Sequence, residues 1–189
     1  MWPKSFWYKV YEPFIRKAAG FGVASIKHDN ERYEHKYEYC DLLITGSGPS
    51  GLASAYAAAK NGARVILAED KPRFGGSLLT SEVNIGNQSG KEWADKIITE
   101  LKEMPNVILK NRAQVFGYYD HNMLVMSERL NDHLPKSKKY SPKQRLWYIR
   151  AKEVVISSGS IERPLVFGNN DTPGAVSYTH LTLPTKRIV

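Results

Sequence analysis

The chain has 189 residues, which is enough for one domain with a hydrophobic core. Its hydrophobic content of 42% and charged content of 24% are ordinary for a globular protein, and no apolar run approaches the roughly 20 residues of a membrane-spanning helix. These values exclude a membrane-embedded chain. Because the residues after Met1 also lack a signal-peptide pattern, we expect a cytoplasmic location. The single cysteine, Cys40, cannot form an internal disulfide, and we expect a buried structural thiol there.

The N-terminal segment, residues 1–39, is rich in aromatic and basic residues and has no clear hydrophobic period. We interpret it as a connecting arm that packs on another surface, or as an extension that covers its own domain. The net charge of +8 includes a basic run from Lys136 to Arg145. Because prolines interrupt this run and no nucleic-acid fold accompanies it, we interpret it as a solvated loop and expect no nucleic-acid partner.

A buried strand and a glycine turn open the main segment, residues 40–174. Leu42–Ile44 has the length and apolar character of a strand buried in a parallel sheet. Gly46, Gly48 and Gly51 then match the pattern G-x-G-x-x-G. The first glycine permits a tight turn, the second lets the backbone approach a pyrophosphate, and the third lets the helix pack closely on the strand.

The helix and strand after this turn complete a dinucleotide-binding pattern. Pro49 suits the first turn of a helix, where free N–H groups can face a phosphate. The helix stops at Asn61–Gly62, and a second strand ends at Glu69. A carboxylate at this point can hold the hydroxyls of an adenosine ribose and repels a 2′-phosphate. The pattern therefore predicts a site for NAD or FAD rather than NADP.

The later elements indicate the fold class. Ser89 and Glu92 form a capping box ahead of an amphipathic helix, and Val107–Leu109 is a third buried strand. Three strand-like segments then suggest an antiparallel meander, followed by a further buried strand at Val154–Ile156. The meander segments are residues 112–119, 123–130 and 145–151. We therefore predict an α/β fold with a Rossmann-like parallel sheet and an antiparallel β-meander insertion.

No catalytic or metal-binding constellation is apparent in the sequence. His121 and His133 have no partners at metal-ligand spacing, and both are expected to be turn or surface residues. No Ser/His/Asp or Cys/His set can be assembled, so the catalytic residues stay unassigned and no metal is expected. Any chemistry would belong to a cofactor or to another chain.

The element order resembles the FAD/NAD-binding domain of the two-dinucleotide flavoprotein oxidoreductases. Four stretches look more specifically like the alpha subunit of heterotetrameric sarcosine oxidase, and the resemblance covers about residues 3–174. These stretches are Tyr11–Gly20, Phe116–Asn122, Arg145–Trp147 and Ile161–Phe167. The resemblance implies a complex with beta, gamma and delta subunits that oxidatively demethylates sarcosine to glycine. It implies that the one-carbon unit passes to tetrahydrofolate and that hydrogen peroxide forms.

In that family the dinucleotide domain of the alpha subunit holds NAD, while the flavins lie on or against the beta subunit. The resemblance implies nucleotide contacts for twelve residues of this chain. They are Gly46, Gly48, Pro49, Ser50 and Gly51 at the pyrophosphate, Glu69 at the ribose, Gly75, Gly76 and Ser77 along the nucleotide, Val115 at the adenine, and Ser158 and Gly159 closing the site.

Two departures from the family pattern limit the resemblance. Ser157-Ser158-Gly159 replaces the family's usual Ala-Thr-Gly, and residues 175–189 look like translated sequencing-adapter DNA. We therefore expect residues 40–174 to be the N-terminal part of an incomplete FAD/NAD(P)-binding domain, inactive when expressed alone.

Two other functions stay open. One is the alpha subunit of an FAD-dependent amine, opine or proline dehydrogenase, or of hydrogen cyanide synthase. The other is a non-catalytic module in which the nucleotide stabilises the fold and a partner interface.

Overall fold

The computed structural model describes residues 6–20, 22, 26–134, 141–160, 166 and 168. The chain divides into two units, residues 1–31 and 32–189. Most of the motif at 161–167, Lys136 and its lysine neighbours, and the adapter-like segment 175–189 lie outside the described residues.

The first unit is helical over most of its described part. A π-helical turn at Trp7–Tyr11 leads into α1, Glu12–Ala18, where Glu12 pairs with Arg16 one turn later. Neither helix has a buried residue, and the side chain of Tyr8 is 80% exposed. The aromatic residues described in this unit therefore form no core of their own.

The second unit is built on a six-stranded mixed sheet. Its strands in chain order are β1 Tyr33–Thr45, β2 Val65–Ala68, the two-residue strands β3 Asn84–Ile85 and β4 Gln88–Ser89, β5 Val107–Lys110, β6 Ala113–Tyr119, β7 Met123–Arg129 and β8 Gln144–Ile156. The sheet order is β5-β2-β1-β8-β7-β6, while β3 and β4 pair separately. The first four strands of that order are parallel, and β8, β7 and β6 are antiparallel neighbours. The structure thus confirms the predicted α/β fold with its antiparallel meander.

Two helices cover one face of this sheet. The helix α2, Pro49–Lys60, begins at the predicted proline and ends before Gly62, whose φ is +82°. The helix α3, Gly90–Glu103, begins with the predicted capping box between Ser89 and Glu92. Its buried residues pack with Leu52 of α2 and Leu67 of β2 in one core cluster. A second cluster, which includes Cys40, Leu43 and Ile149, lies between the parallel strands and the meander.

The structure corrects the predicted boundary of the N-terminal arm. Residues 33–39, assigned to the arm from the sequence, form the first part of β1. They pair in parallel with β8 from Tyr33–Gln144 onward, and this pairing supplies hydrogen bonds that a free arm would lack.

The last meander strand and the last parallel strand are also one element. The sequence separates 145–151 from Val154–Ile156, but β8 runs through both. Its first half pairs with β7 and its whole length lies beside β1, so the backbone has a partner across the predicted break.

The basic run is corrected at its C-terminal end. Arg145, which the sequence analysis assigned both to this solvated run and to the start of the third meander strand, lies in β8 with its side chain 21% exposed, so the strand assignment is confirmed. It bonds Glu34 of β1 at 2.9 Å and Glu128 of β7 at 3.4 Å. A strand position with two carboxylate partners therefore holds this arginine.

Candidate functional site

The predicted dinucleotide residues gather where the parallel strands end. The strands β1, β2 and β8 run in the same direction, and their carboxyl ends lie at Thr45, Ala68 and Ile156. The residue after β8, Ser157, ties this edge together, because its hydroxyl donates to the carbonyls of Thr45 and Gly46, each at 2.9 Å. Open parallel sheets bind ligands at this edge, so the topology supports the predicted location.

The three glycines of the turn have different surroundings. A Cβ on Gly46 would overlap the carbonyl of Ser157, and a Cβ on Gly51 would overlap the carbonyl of Gly46. A Cβ on Gly48 would meet no atom within 4 Å. Packing within the protein therefore requires the first and third glycines. The second glycine faces open space, which fits a site where a ligand approaches the backbone.

The paired glycines at 75 and 76 close onto this turn. Gly76 has a φ of +53°, and a Cβ on it would lie 2.7 Å from the Cα of Gly48. The N–H of Gly75 donates to the carbonyl and to the hydroxyl of Ser47, each at 3.1 Å. The loop that the sequence places along the nucleotide therefore contacts the glycine turn directly.

The first turn of α2 presents backbone donors beside this opening. Pro49 and Ser50 are exposed at the start of the helix, after Gly48 in an extended conformation. The first N–H groups of a helix have no intrahelical acceptor and carry the positive end of the helix dipole. An anionic pyrophosphate fits these donors and the space above Gly48.

Glu69 lies at the end of β2, as predicted, but it is only 6% exposed and already accepts three hydrogen bonds. Its Oε2 accepts from the N–H of Ser47 at 2.9 Å and from the Ser47 hydroxyl at 2.5 Å. Its Oε1 accepts from the N–H of Lys71 at 3.0 Å. The pKa of the neighbouring Asp70 is lowered, first by a hydrogen bond with Glu69 and then by Lys71. Negative charge at this corner is compatible with the predicted preference for NAD or FAD over NADP, which stays a prediction.

Ser47 is the site residue that the sequence reasoning missed. It lies between two motif glycines at a position that the motif leaves free, so no pattern singles it out. Its side chain is fully buried and bonds both Glu69 and Gly75.

The remaining predicted site residues are Ser77, Val115, Ser158 and Gly159. Ser77 is exposed in the 3₁₀ turn Gly76–Leu79, and Ser158 and Gly159 are exposed after β8. Val115 is half-buried in β6, and the start of that strand is tied to β2 by the bond from Ala113 N–H to the Glu69 carbonyl at 2.8 Å.

The described residues hold no group of three or more His, Cys, Asp or Glu side chains that could bind a metal ion. His121 sits in the 3₁₀ turn between β6 and β7 with a φ of +57°, in agreement with the predicted turn. His133 lies 3.6 Å from Asp132. Cys40 is buried, which confirms the predicted structural thiol.

Comparisons with known proteins identify related sequences. Residues 41–132 match the family described as FAD dependent oxidoreductase. The sarcosine oxidase alpha subunit of Rhizobium meliloti (strain 1021) is 44% identical over 176 residues, which are 93% of this chain and 18% of that protein. This chain is homologous to a segment of the sarcosine oxidase alpha subunit. The corresponding protein of Corynebacterium sp. (strain U-96) is 38% identical over 82% of this chain and 16% of its own length.

Weaker similarities extend to related oxidoreductases. An opine oxidase subunit of Agrobacterium tumefaciens (strain Ach5) is 25% identical over 74% of this chain and 28% of its own. The crystal structure of L-proline dehydrogenase from P. horikoshii covers 80% of this chain and 28% of its own, with a TM-score of 0.58 and 22% identity. That likeness supports the fold. The chain spans less than a fifth of the sarcosine oxidase alpha subunits that it matches.

Proposed function

We propose that this chain supplies a dinucleotide site, with NAD as its ligand, to the alpha subunit of a heterotetrameric sarcosine oxidase. The observation that carries the proposal is the open space at the Cβ position of Gly48, which precedes the first turn of α2 and follows Ser47, the residue bonded to Glu69 at the end of β2. The homology to sarcosine oxidase alpha subunits supports the choice of enzyme.

The residues of the chain have separate roles in this proposal. The backbone of Gly46, Gly48, Ser50 and Gly51, with Pro49 at the first helical turn, receives the pyrophosphate. Glu69 receives the ribose through the acceptor capacity that its three hydrogen bonds leave. Gly75, Gly76 and Ser77 run along the nucleotide, Val115 reaches the adenine through its backbone, and Ser158 with Gly159 closes the site.

At the level of the complex, the proposed reaction is the oxidative demethylation of sarcosine to glycine. The beta, gamma and delta subunits are the proposed partners, tetrahydrofolate takes the one-carbon unit, and oxygen becomes hydrogen peroxide. A bound dinucleotide would supply hydride or electron transfer if its reactive ring can reach a redox partner. In this proposal the described residues contribute binding and orientation, and none of them is assigned an acid–base role. No helix among them has the length and apolar character to cross a membrane, and the cytoplasm is the proposed location.

The identity of the nucleotide is the first test of this proposal. The complete natural gene product is purified without added cofactor, denatured, and the released nucleotides are identified by mass spectrometry. We expect one equivalent of NAD. Release of FAD with no NAD would instead support the second candidate, an amine, opine or proline dehydrogenase subunit, which the family description FAD dependent oxidoreductase favours.

A substitution separates an enzymatic role from a purely structural one. Glu69→Ala in the assembled complex removes the ribose acceptor, so we expect turnover to fall with the subunits still assembled. Size-exclusion chromatography of the same preparation is the control for assembly. Full turnover with the nucleotide lost would favour the non-catalytic module.

A further inference from the structure

Three parts of the site meet at the buried side chain of Ser47. Its hydroxyl donates to Glu69 Oε2 at 2.5 Å and accepts from the Gly75 N–H at 3.1 Å. Its own N–H donates to the same Glu69 oxygen at 2.9 Å. One hydroxyl therefore links the glycine turn, the end of β2 and the loop of paired glycines, and it is 0% exposed.

These bonds decide which acceptor positions of Glu69 stay free. A carboxylate offers about four lone-pair positions, two on each oxygen. Ser47 occupies both positions on Oε2, and the Lys71 N–H occupies one on Oε1. Without the hydroxyl, Oε2 regains an acceptor position, while the N–H groups of Ser47 and Lys71 and the side chain of Asp70 still contact the carboxylate. Ser47 thus holds the group in one orientation, in which both positions on Oε2 are filled and the acceptor capacity for a ligand lies on Oε1.

We infer that Ser47 is a positioning residue, which holds Glu69 for a single ribose hydroxyl and the Gly75 loop against the glycine turn. The inference rests on the proposed nucleotide function and deepens it, because it assigns the recognition of the ribose to a bridge between Ser47 and Glu69. Pre-organised acceptors bind more tightly because less ordering accompanies binding. Loss of the Ser47 hydroxyl should therefore weaken the recognition of ribose hydroxyls more than the binding of phosphate.

The test compares ADP with 2′-deoxy-ADP and 3′-deoxy-ADP, since ADP is common to NAD and FAD. Calorimetric titrations use the complete natural gene product after removal of its nucleotide. In the wild type, we expect one deoxy analogue to bind about tenfold more weakly than ADP, the loss of one hydrogen bond to a charged group. In Ser47→Ala, we expect the affinity for ADP to fall about tenfold. The ratio of the affinity for ADP to the affinity for that analogue should fall to less than about threefold.

Matched variants separate this role from a general loss of structure. Ser54→Ala on α2 removes a hydroxyl outside the site and should leave all three affinities unchanged. Glu69→Gln should also reduce the advantage of ADP over that analogue to less than about threefold. Equal weakening of ADP and both analogues in Ser47→Ala would overturn the inference. Failure of the wild type to bind ADP would overturn the proposed nucleotide function itself.

A second variant and a second measurement keep the inference testable if Ser47→Ala fails to fold. Ser47→Gly keeps the backbone donor and removes only the hydroxymethyl group. In the unliganded protein, hydrogen–deuterium exchange over residues 75–79 should be about threefold faster in this variant, because the Gly75 N–H keeps only the Ser47 carbonyl as its acceptor. Unchanged protection of these amides would contradict the bridge.

Discussion

At the residue scale, the structure separates glycines that the fold needs from the glycine that a ligand needs. Gly48 has a φ of −67°, which any residue adopts, and open space at its Cβ position. Gly51 has no such space, since a Cβ there would overlap the Gly46 carbonyl. Packing within the protein therefore requires glycine at position 51, whereas at position 48 only the approach of a ligand would require it.

A pair of substitutions tests this distinction. Gly48→Ala should change the free energy of unfolding by less than about 0.5 kcal/mol, because the new Cβ meets no atom within 4 Å, yet weaken nucleotide binding about tenfold or more. Gly51→Ala should destabilise the fold by about 1–3 kcal/mol through overpacking. Urea unfolding and nucleotide titration of the complete gene product measure both effects. A large loss of stability in Gly48→Ala would contradict the assignment.

At the element scale, a buried charged cluster joins the meander to the parallel sheet. Glu128 of β7 accepts from Trp147 Nε1 at 2.6 Å and Lys110 Nζ at 3.1 Å, and it contacts Arg145 at 3.4 Å. Lys110 also lies 4.8 Å from the centre of the Trp147 ring. One carboxylate thus neutralises cations from β5 and β8.

Removal of this carboxylate should destabilise the fold. Glu128→Ala leaves the Lys110 ammonium and the Trp147 indole N–H without this acceptor, while Arg145 keeps Glu34, at an expected cost of about 3 kcal/mol. Glu128→Gln can still accept from Trp147 and should cost less. Glu153→Ala, at an exposed position of β8, is the matched control and should stay within about 0.5 kcal/mol. Urea midpoints measure all three, and a Glu128→Ala midpoint equal to the control would refute the role of the cluster.

Local patterns predicted the elements whose signals lie within a few residues. The glycine turn, the start of α2 at Pro49 and the capping box at Ser89 are examples, because each depends on neighbours in sequence. The first half of β1 was missed although Tyr33 to Tyr39 alternate aromatic and polar residues, which is a strand pattern, because these residues were grouped with the aperiodic aromatic segment before them. Its pairing depends on β8, whose Arg145 is 111 positions from its partner Glu34.

In the candidate site, too, contacts between residues far apart in sequence could not be predicted. Its location followed from the motif glycines and the acid at the end of β2, which the strand pattern places at one edge. The bridge from Ser47 to Glu69 spans 22 positions and requires a particular orientation of the carboxylate. A sequence motif specifies neither which distant residues pair nor how a side chain is oriented, so this contact could be found only in the structure.

At the scale of the whole molecule, the mixed sheet of the second unit contributes residues to two hydrophobic clusters. Cys40 belongs to the second cluster, which the parallel strands share with the meander. The side chain is 1% exposed and belongs to the same cluster as Leu43 and Ile149. Burial, followed by the nearby Asp41 charge, raises the pKa of this thiol to about 12. The thiolate, which is the reactive form, is therefore scarce at neutral pH while Cys40 stays buried.

Alkylation of Cys40 should consequently follow unfolding of the whole sheet. In the complete gene product, peptide-resolved labelling with iodoacetamide should be negligible at pH 8 without denaturant and should rise along the urea unfolding curve. Because the folded pKa is raised above the ordinary value of 9.0, the stability from the neutral thiol is present below pH 9 and is lost as the pH rises towards 12. Cys40→Ala should show a smaller loss of stability over that interval. Rapid labelling of Cys40 in the native protein at pH 8 would show that the meander opens independently of the parallel sheet.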